Sequence, residues 1–209
     1  MNNKTIPRRF NISSAEMALI VTVIIGVLVN SSQFATVDNA YNIVRQFVTN
    51  AIIALGMAFV IISGSIDLSV SSVMVMGAFL AMRFVHISLA LAILVPLAFG
   101  VLIGAINATL ITKVNFPPMM ATYSTQMLVK GIVLVLTGGS TYKPLVSHEA
   151  FSYLGFGDIF GVIPFSLAFF VVIFVICFFS IKRIPLVRNV YAVGGNEEAA
   201  RMMGVNVGR

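Results

Sequence analysis

The sequence predicts an all-α fold, a polytopic bundle of about six membrane helices. Three observations predict it. Of 209 residues, 59% are hydrophobic and only 10% charged, and the mean hydropathy is +1.02. Soluble domains carry about a quarter charged residues, so this chain lacks the polar supply to cover a water-facing surface. Several charge-free runs reach the roughly 20 residues that a helix needs to cross a hydrocarbon core about 30 Å thick. The basic residues gather at the edges of those runs rather than on a patch. Intrinsic disorder, a soluble enzyme with one polar exterior and a nucleic-acid partner are therefore excluded, despite a net charge of +6 and a pI near 9.8. The surroundings of most of the chain are membrane lipid.

Taken in order, the charge-free runs are 17–37, 46–66, 87–112 and 161–181. Two further segments are atypical. The run 68–82 lies between Asp67 and Arg83 and is about 22 Å long at 1.5 Å per residue. The run 114–129 is polar in places, meets Lys130, and continues apolar over 131–137. The first run has a basic leader and a small residue at Ser31, as a signal peptide does, but reads as an uncleaved first helix. The single cysteine, Cys177, sits inside an apolar run, so neither a disulfide framework nor a cysteine metal cluster is expected. No metal site or cofactor is called for.

Topology follows from the loops that hold Lys and Arg. With the N-terminus inside, the inner segments carry Lys4, Arg8, Arg9, Lys113, Lys182, Arg183, Arg188, Arg201 and Arg209. The outer segments carry Arg45, Arg83, Lys130 and Lys143. Nine against four places both termini in the cytoplasm and a loop over 138–158 outside. The chain divides on this reading into a membrane domain, 1–181, and a cytoplasmic tail, 182–209.

Polar groups inside membrane segments carry the functional information, because a charge near the bilayer centre costs about 3 kcal/mol on insertion scales. In Ser63-Gly64-Ser65-Ile66-Asp67-Leu68-Ser69, Asp67 is placed to cap the next helix by accepting from the backbone N–H of Ser69 or Val70. Two readings stay open: an ordinary capped turn, or a discontinuous element beside a solute pathway. After Pro117-Pro118, with Pro118 suited to a first helical turn, Thr122, Thr125 and Gln126 share one helix face. Hydroxyls and an amide so placed suit either a neutral polyhydroxylated solute or helix–helix hydrogen bonds. Asn107, with small neighbours Gly104, Ala105 and Ala108, is a third intrusion, for which close helix packing leads. Asp67, Ser69, Asn107, Thr122, Thr125 and Gln126 are the candidate pathway residues.

The tail carries a full set of helix signals over 196–204: Asn196 as N-cap, Glu197 and Glu198 in the first turn, then Ala199 and Ala200, Arg201 late, and Gly204 at the end. So short a helix is unstable alone in water, and its acidic start argues against anionic lipid. A cytoplasmic protein partner is favoured.

These motifs resemble the permease subunits of ribose-type sugar ABC importers, in the binding-protein-dependent permease family that also holds branched-chain amino-acid permeases. The matching stretches are Phe59-Val-Ile-Ile-Ser-Gly-Ser-Ile-Asp-Leu-Ser-Val-Ser-Ser72, Pro117-Pro-Met-Met-Ala-Thr122, Lys130-Gly131 with Leu136-Thr-Gly-Gly139, and Asn189-Val-Tyr-Ala-Val-Gly-Gly-Asn-Glu-Glu-Ala-Ala-Arg201. The Asp67-Leu68-Ser69 form is similar to the sugar branch. The resemblance implies a bacterial inner-membrane location, an ATP-binding-cassette ATPase subunit inside, a solute-binding protein outside, a second permease copy and a small neutral sugar as cargo. It gives the segment Gly195, Asn196, Glu197, Glu198, Ala199, Ala200 and Gly204 the role of ATPase-coupling helix. Ser65 and Ser71 stand where the family usually has glycine, Ala108 likewise, and Lys130 where it has arginine. Family members run on past the coupling segment, so the chain reads as an N-terminal portion.

The expected activity is transport of a monosaccharide driven by ATP hydrolysis in a separate protein, since the chain has no Gly-x-x-x-x-Gly-Lys-Ser/Thr phosphate loop. A secondary carrier, separated by uptake that survives ATP depletion, and a non-functional fragment are alternatives. An intramembrane enzyme would need His86 or His148 as a base, and the sequence has no Gly-x-Ser-x-Gly elbow.

Overall fold

The computed structural model describes residues 13–140 and 148–205. In chain order the elements are α1 (Ser14–Phe34), α2 (Val37–Ile62), α3 (Val70–Phe84), α4 (Leu89–Thr112), α5 (Pro118–Thr137), α6 (Glu149–Phe156), the strands β1 (Asp158–Ile159) and β2 (Ile163–Pro164), α7 (Phe165–Arg183), α8 (Pro185–Gly195) and α9 (Glu197–Met202). Among the described residues, five helices are long and apolar enough to cross a membrane, and α3 is a sixth, shorter apolar helix. The chain is an all-α, multi-pass membrane protein. It divides into two compact units, Met1–Val44 and Arg45–Arg209.

In the first unit, α1 begins three residues ahead of the charge-free run. Ser13 and Glu16 form a reciprocal capping box, with Ser13 N–H donating to Glu16 Oε2 at 2.7 Å, which satisfies two orphan donors at once. The backbone kinks at Asn30 (φ −149°, ψ 62°). The next helix starts at Val37 instead of residue 46. Thr36 Oγ1 accepts from Asn39 N–H at 3.2 Å, the N-cap bond that lets a helix open in a polar segment containing Asp38.

In the second unit, α3, α4 and α5 share a core. Met76, Ile103 and Val129, one from each helix, are buried together, with Val73, Phe79, Leu80, Phe99 and Val133 around them. The apolar continuation past Lys130 is helical, and α5 runs through Lys130 to Thr137. Lys130 is exposed and only two turns from the helix end, within reach of the interface for a long aliphatic stem. By contrast α7 buries no residue. Its Phe170 ring meets Phe47 of α2 edge-on, centroids 6.3 Å apart.

The run 161–181 does not become helix at its start. Residues 158–164 form an antiparallel hairpin, Asp158 opposite Pro164 and Ile159 opposite Ile163. Pro164 has no N–H to give a helix interior and stands as the N-cap of α7. The hairpin turn places Phe160 (φ 55°) and Gly161 (φ 69°) in the left-handed region, closed by Val162 N–H to Ile159 O at 3.2 Å. Such a turn suits Asn-Gly. A Phe there bears about 1–2 kcal/mol of steric strain.

Candidate functional site

The helix α2 stops at Gly64 (φ +82°). Ser65 N–H reaches Val60 O at 3.1 Å and Gly64 N–H reaches Ile61 O at 3.0 Å, a Schellman ending that needs a left-handed residue. The chain then runs without helix to Ser69 before α3 begins at Val70. Asp67 accepts from Ser69 N–H at 2.7 Å, as expected, and also from Ser69 Oγ–H at 2.6 Å. The cap position itself belongs to Ser69, so Asp67 braces the turn two residues back and Ser69 occupies the boundary.

From Ser69 a row of hydrogen bonds crosses into the neighbouring helices. Asn107 Nδ2 on α4 donates to Ser69 Oγ at 3.0 Å. Thr125 Oγ1 on α5 donates to Asn107 Oδ1 at 2.8 Å. Thr122 Oγ1 lies 3.2 Å from Ile66 O in the turn and 2.8 Å from Pro118 O in its own helix. Ser69 is 1% exposed, Thr122 2% and Asn107 4%. Buried polar atoms are costly unless paired, and here each bond supplies the next member's need. From Thr125 through Asn107 and Ser69 the donors point in order toward Asp67, whereas the Thr122 hydroxyl faces the carbonyls of Ile66 and Pro118. The row thereby fixes the turn onto α4 and α5 from two directions, at Ser69 and at Ile66.

Five of the six candidate pathway residues, Asp67, Ser69, Asn107, Thr122 and Thr125, thus meet in one place. Gln126 stands outside the row, half-exposed, and its Nε2 donates to Ser71 Oγ at 3.0 Å. The Ser71 hydroxyl is thus the partner this amide uses.

The tail helix forms as its sequence signals predict. Asn196 Oδ1 accepts from Ala199 N–H at 2.9 Å, Arg201 pairs with Glu197 at 2.7 Å, and Gly204 ends it at φ +83°. Ala200 is buried, while Met202 and Met203 are exposed. The preceding helix, α8, was not foreseen. It brings Gly194 against the end of α2, where a Cβ at Gly194 would overlap the carbonyl of Ile62 and crowd Ser63. The acidic-start helix α9 therefore begins three residues beyond a backbone contact with the turn leading to Asp67.

Sequence reasoning also missed a clasp on the α6–hairpin segment. Arg45 Nη2 donates to Phe156 O at 2.8 Å and to Asp158 Oδ1 at 3.2 Å. Its guanidinium lies 5.8 Å from the Phe156 ring centroid, within cation–π range. More than a hundred residues separate the partners, so no local pattern could show it. Of the two histidines, His148 Nδ1 is buried without a partner. No group of three metal-ligating side chains occurs among the described residues.

No solved structure matches the chain. Among curated proteins it is 36% identical over 197 residues to the ribose import permease protein RbsC of Haemophilus influenzae, covering 92% of this chain and 60% of that one. It is 36% identical over 195 residues to the ribose import permease protein RbsC of Bacillus subtilis, covering 92% and 60%. The fructose import permease protein FruF of Bifidobacterium longum is 31% identical over 157 residues, covering 73% and 44%. The chain thus spans about 60% of the length of the ribose permeases it matches. Residues 39–209 match the family described as branched-chain amino acid transport system / permease component. That match takes in the Asp67 turn, the α4–α5 row and the tail helix alike, and the chain belongs to this permease family.

Proposed function

We propose that this chain is the membrane-spanning permease subunit of an ATP-driven importer that moves a ribose-like monosaccharide across the bacterial inner membrane. The likeness to two ribose import permeases over 92% of the chain carries the reading. ATP hydrolysis falls to a separate ATPase subunit on the cytoplasmic side, a solute-binding protein delivers the sugar outside, and a second permease copy completes the pathway. Both termini are cytoplasmic, in keeping with the bias of basic residues. Asp67, Ser69, Asn107, Thr122 and Thr125 set the wall of the pathway by fixing the non-helical turn, and Gln126 offers a polar group at its margin. The segment from Gly195 through Glu197, Glu198, Ala199 and Ala200 to Gly204 docks on the ATPase.

The contact of Gly194 with Ile62 supports this division of labour, because it joins the docking segment to the turn at the polar row. Co-purification with the ATPase, before and after charge reversal at Glu197 and Glu198, tests the proposal. Loss of the ATPase from the variant, with membrane insertion unchanged, is expected. Full retention would refute the docking role.

A further inference from the structure

Phe160 is the most exposed large apolar side chain among those of the described residues, at 96%, and it sits in a strained left-handed position at a hairpin tip. Strain of this kind persists where surrounding structure enforces it and marks functional positions. The enforcement is visible. Tyr153 Oη donates to Asp158 O at 2.9 Å, Phe165 N–H donates to Gly157 O at 2.9 Å, and Arg45 holds Phe156 O and Asp158. Around Phe160 lie further exposed apolar groups: Phe156, Val162, Ile163 and Tyr153.

We infer that this hairpin, led by Phe160, is seated in the interfacial layer of the lipid bilayer and anchors the α6–α7 segment there. Three observations select lipid over a protein partner. Asp158 is the only charged residue between Glu149 and Lys182, and Arg45 neutralises it, whereas a protein-docking patch carries a polar rim. The strand β2 passes directly into α7, so the patch continues the apolar surface of a membrane span. The register of that span sets the depth. With Lys182 and Arg183 at one boundary, the 19 residues of α7 rise about 28 Å, nearly one hydrocarbon core, which leaves Phe165 at the opposite boundary and the hairpin at headgroup level. Aromatic side chains favour that layer. The apolar residues 161–164, which lengthen the run without joining the helix, gain a role here.

The chain contains no tryptophan, so Phe160→Trp in the full chain is a single reporter. It is reconstituted in phosphatidylethanolamine–phosphatidylglycerol vesicles whose acyl chains are brominated at shallow or at deep positions. The inference expects a blue-shifted emission, quenched more by shallow than by deep bromine and little by aqueous acrylamide. Unshifted emission with strong acrylamide quenching would place the tip in water and overturn it. Blue-shifted emission untouched by either quencher would mean a protein cover, such as a second copy, and would overturn it equally. If Phe160→Trp fails to fold, Val162→Trp carries the same test. Phe160→Asn, which suits the turn, is expected to leave the gel-filtration profile intact while exposing the hairpin to protease on intact vesicles.

Discussion

Replacing Asn107 separates two ways in which a buried polar row can hold a membrane protein together. Asn107 gives one hydrogen bond to Ser69 and takes one from Thr125. In Asn107→Leu both are lost, but the survivors are not stranded. Ser69 Oγ keeps its bond to Asp67, and Thr125 Oγ1 lies 2.9 Å from Thr122 O. Interhelical bonds in membranes average about 0.6 kcal/mol and reach roughly 1.7 kcal/mol, so two of them amount to about 1.2 kcal/mol at the average and about 3.4 kcal/mol at most. In Asn107→Asp the shape is kept and the bond from Thr125 remains, yet the second oxygen now faces Ser69, whose only hydroxyl proton is directed at Asp67. Two carboxylates then compete for one proton, and an added buried charge costs about 3 kcal/mol. The nearly isosteric change should therefore be the worse one, by about tenfold in the unfolding equilibrium. Equilibrium unfolding of the full chain in mixed micelles at neutral pH reads this directly. An Asn107→Asp chain as stable at neutral pH as Asn107→Leu would refute the directional accounting of the row.

Other changes test the remaining contacts. Gly194→Ala should cost about 1–3 kcal/mol by overpacking against the Ile62 carbonyl, whereas Gly195→Ala, with nothing within 4 Å of its Cβ, should be neutral in the same unfolding assay. Asn196→Ala removes the cap of α9 and should cost about 1 kcal/mol locally, read as faster amide exchange at Ala199 and Ala200. Arg45→Leu removes the clasp at Asp158, a pair whose side chains are 21% and 33% exposed; after solvent screening the loss is about 1 kcal/mol, seen as faster proteolysis within 148–165 on intact vesicles. On the proposed function, Gln126→Leu should lower sugar uptake while leaving ATPase co-purification unchanged, because Gln126 lies outside the buried row.

Hydropathy made the helices legible because each membrane segment must satisfy its own backbone, and the helical state follows once lipid is the solvent. Cap chemistry made α5 and α9 legible at Pro118, Asn196 and Gly204. The same charge-free criterion misplaced the starts of α1 and α2, since helices extend beyond the bilayer and there tolerate Glu16, Asp38 and Arg45. Only the Ser13-x-x-Glu16 signature could have corrected the first. At the start of α7 hydropathy was blind to the strand, because lipid-facing helix and interfacial hairpin are equally apolar; Pro164 was the available marker. For the polar row, residue type showed which side chains needed partners but not which they would find. Asp67 with Ser69 is local and could be drawn. Ser69 with Asn107 and Asn107 with Thr125 depend on how three helices pack, and Arg45 with Asp158 on where the chain returns.

The seat of Gly194 has a mechanical consequence. Side chains at an interface act as cushions, since a change of rotamer absorbs small displacements before the main chain feels them. At Gly194 there is no cushion: peptide rests on peptide at Ile62. Protein interiors yield little under load, so a push that shifts the tail by an ångström would reach the end of α2 with little lost on the way, as through a rigid linkage with no play in its joint.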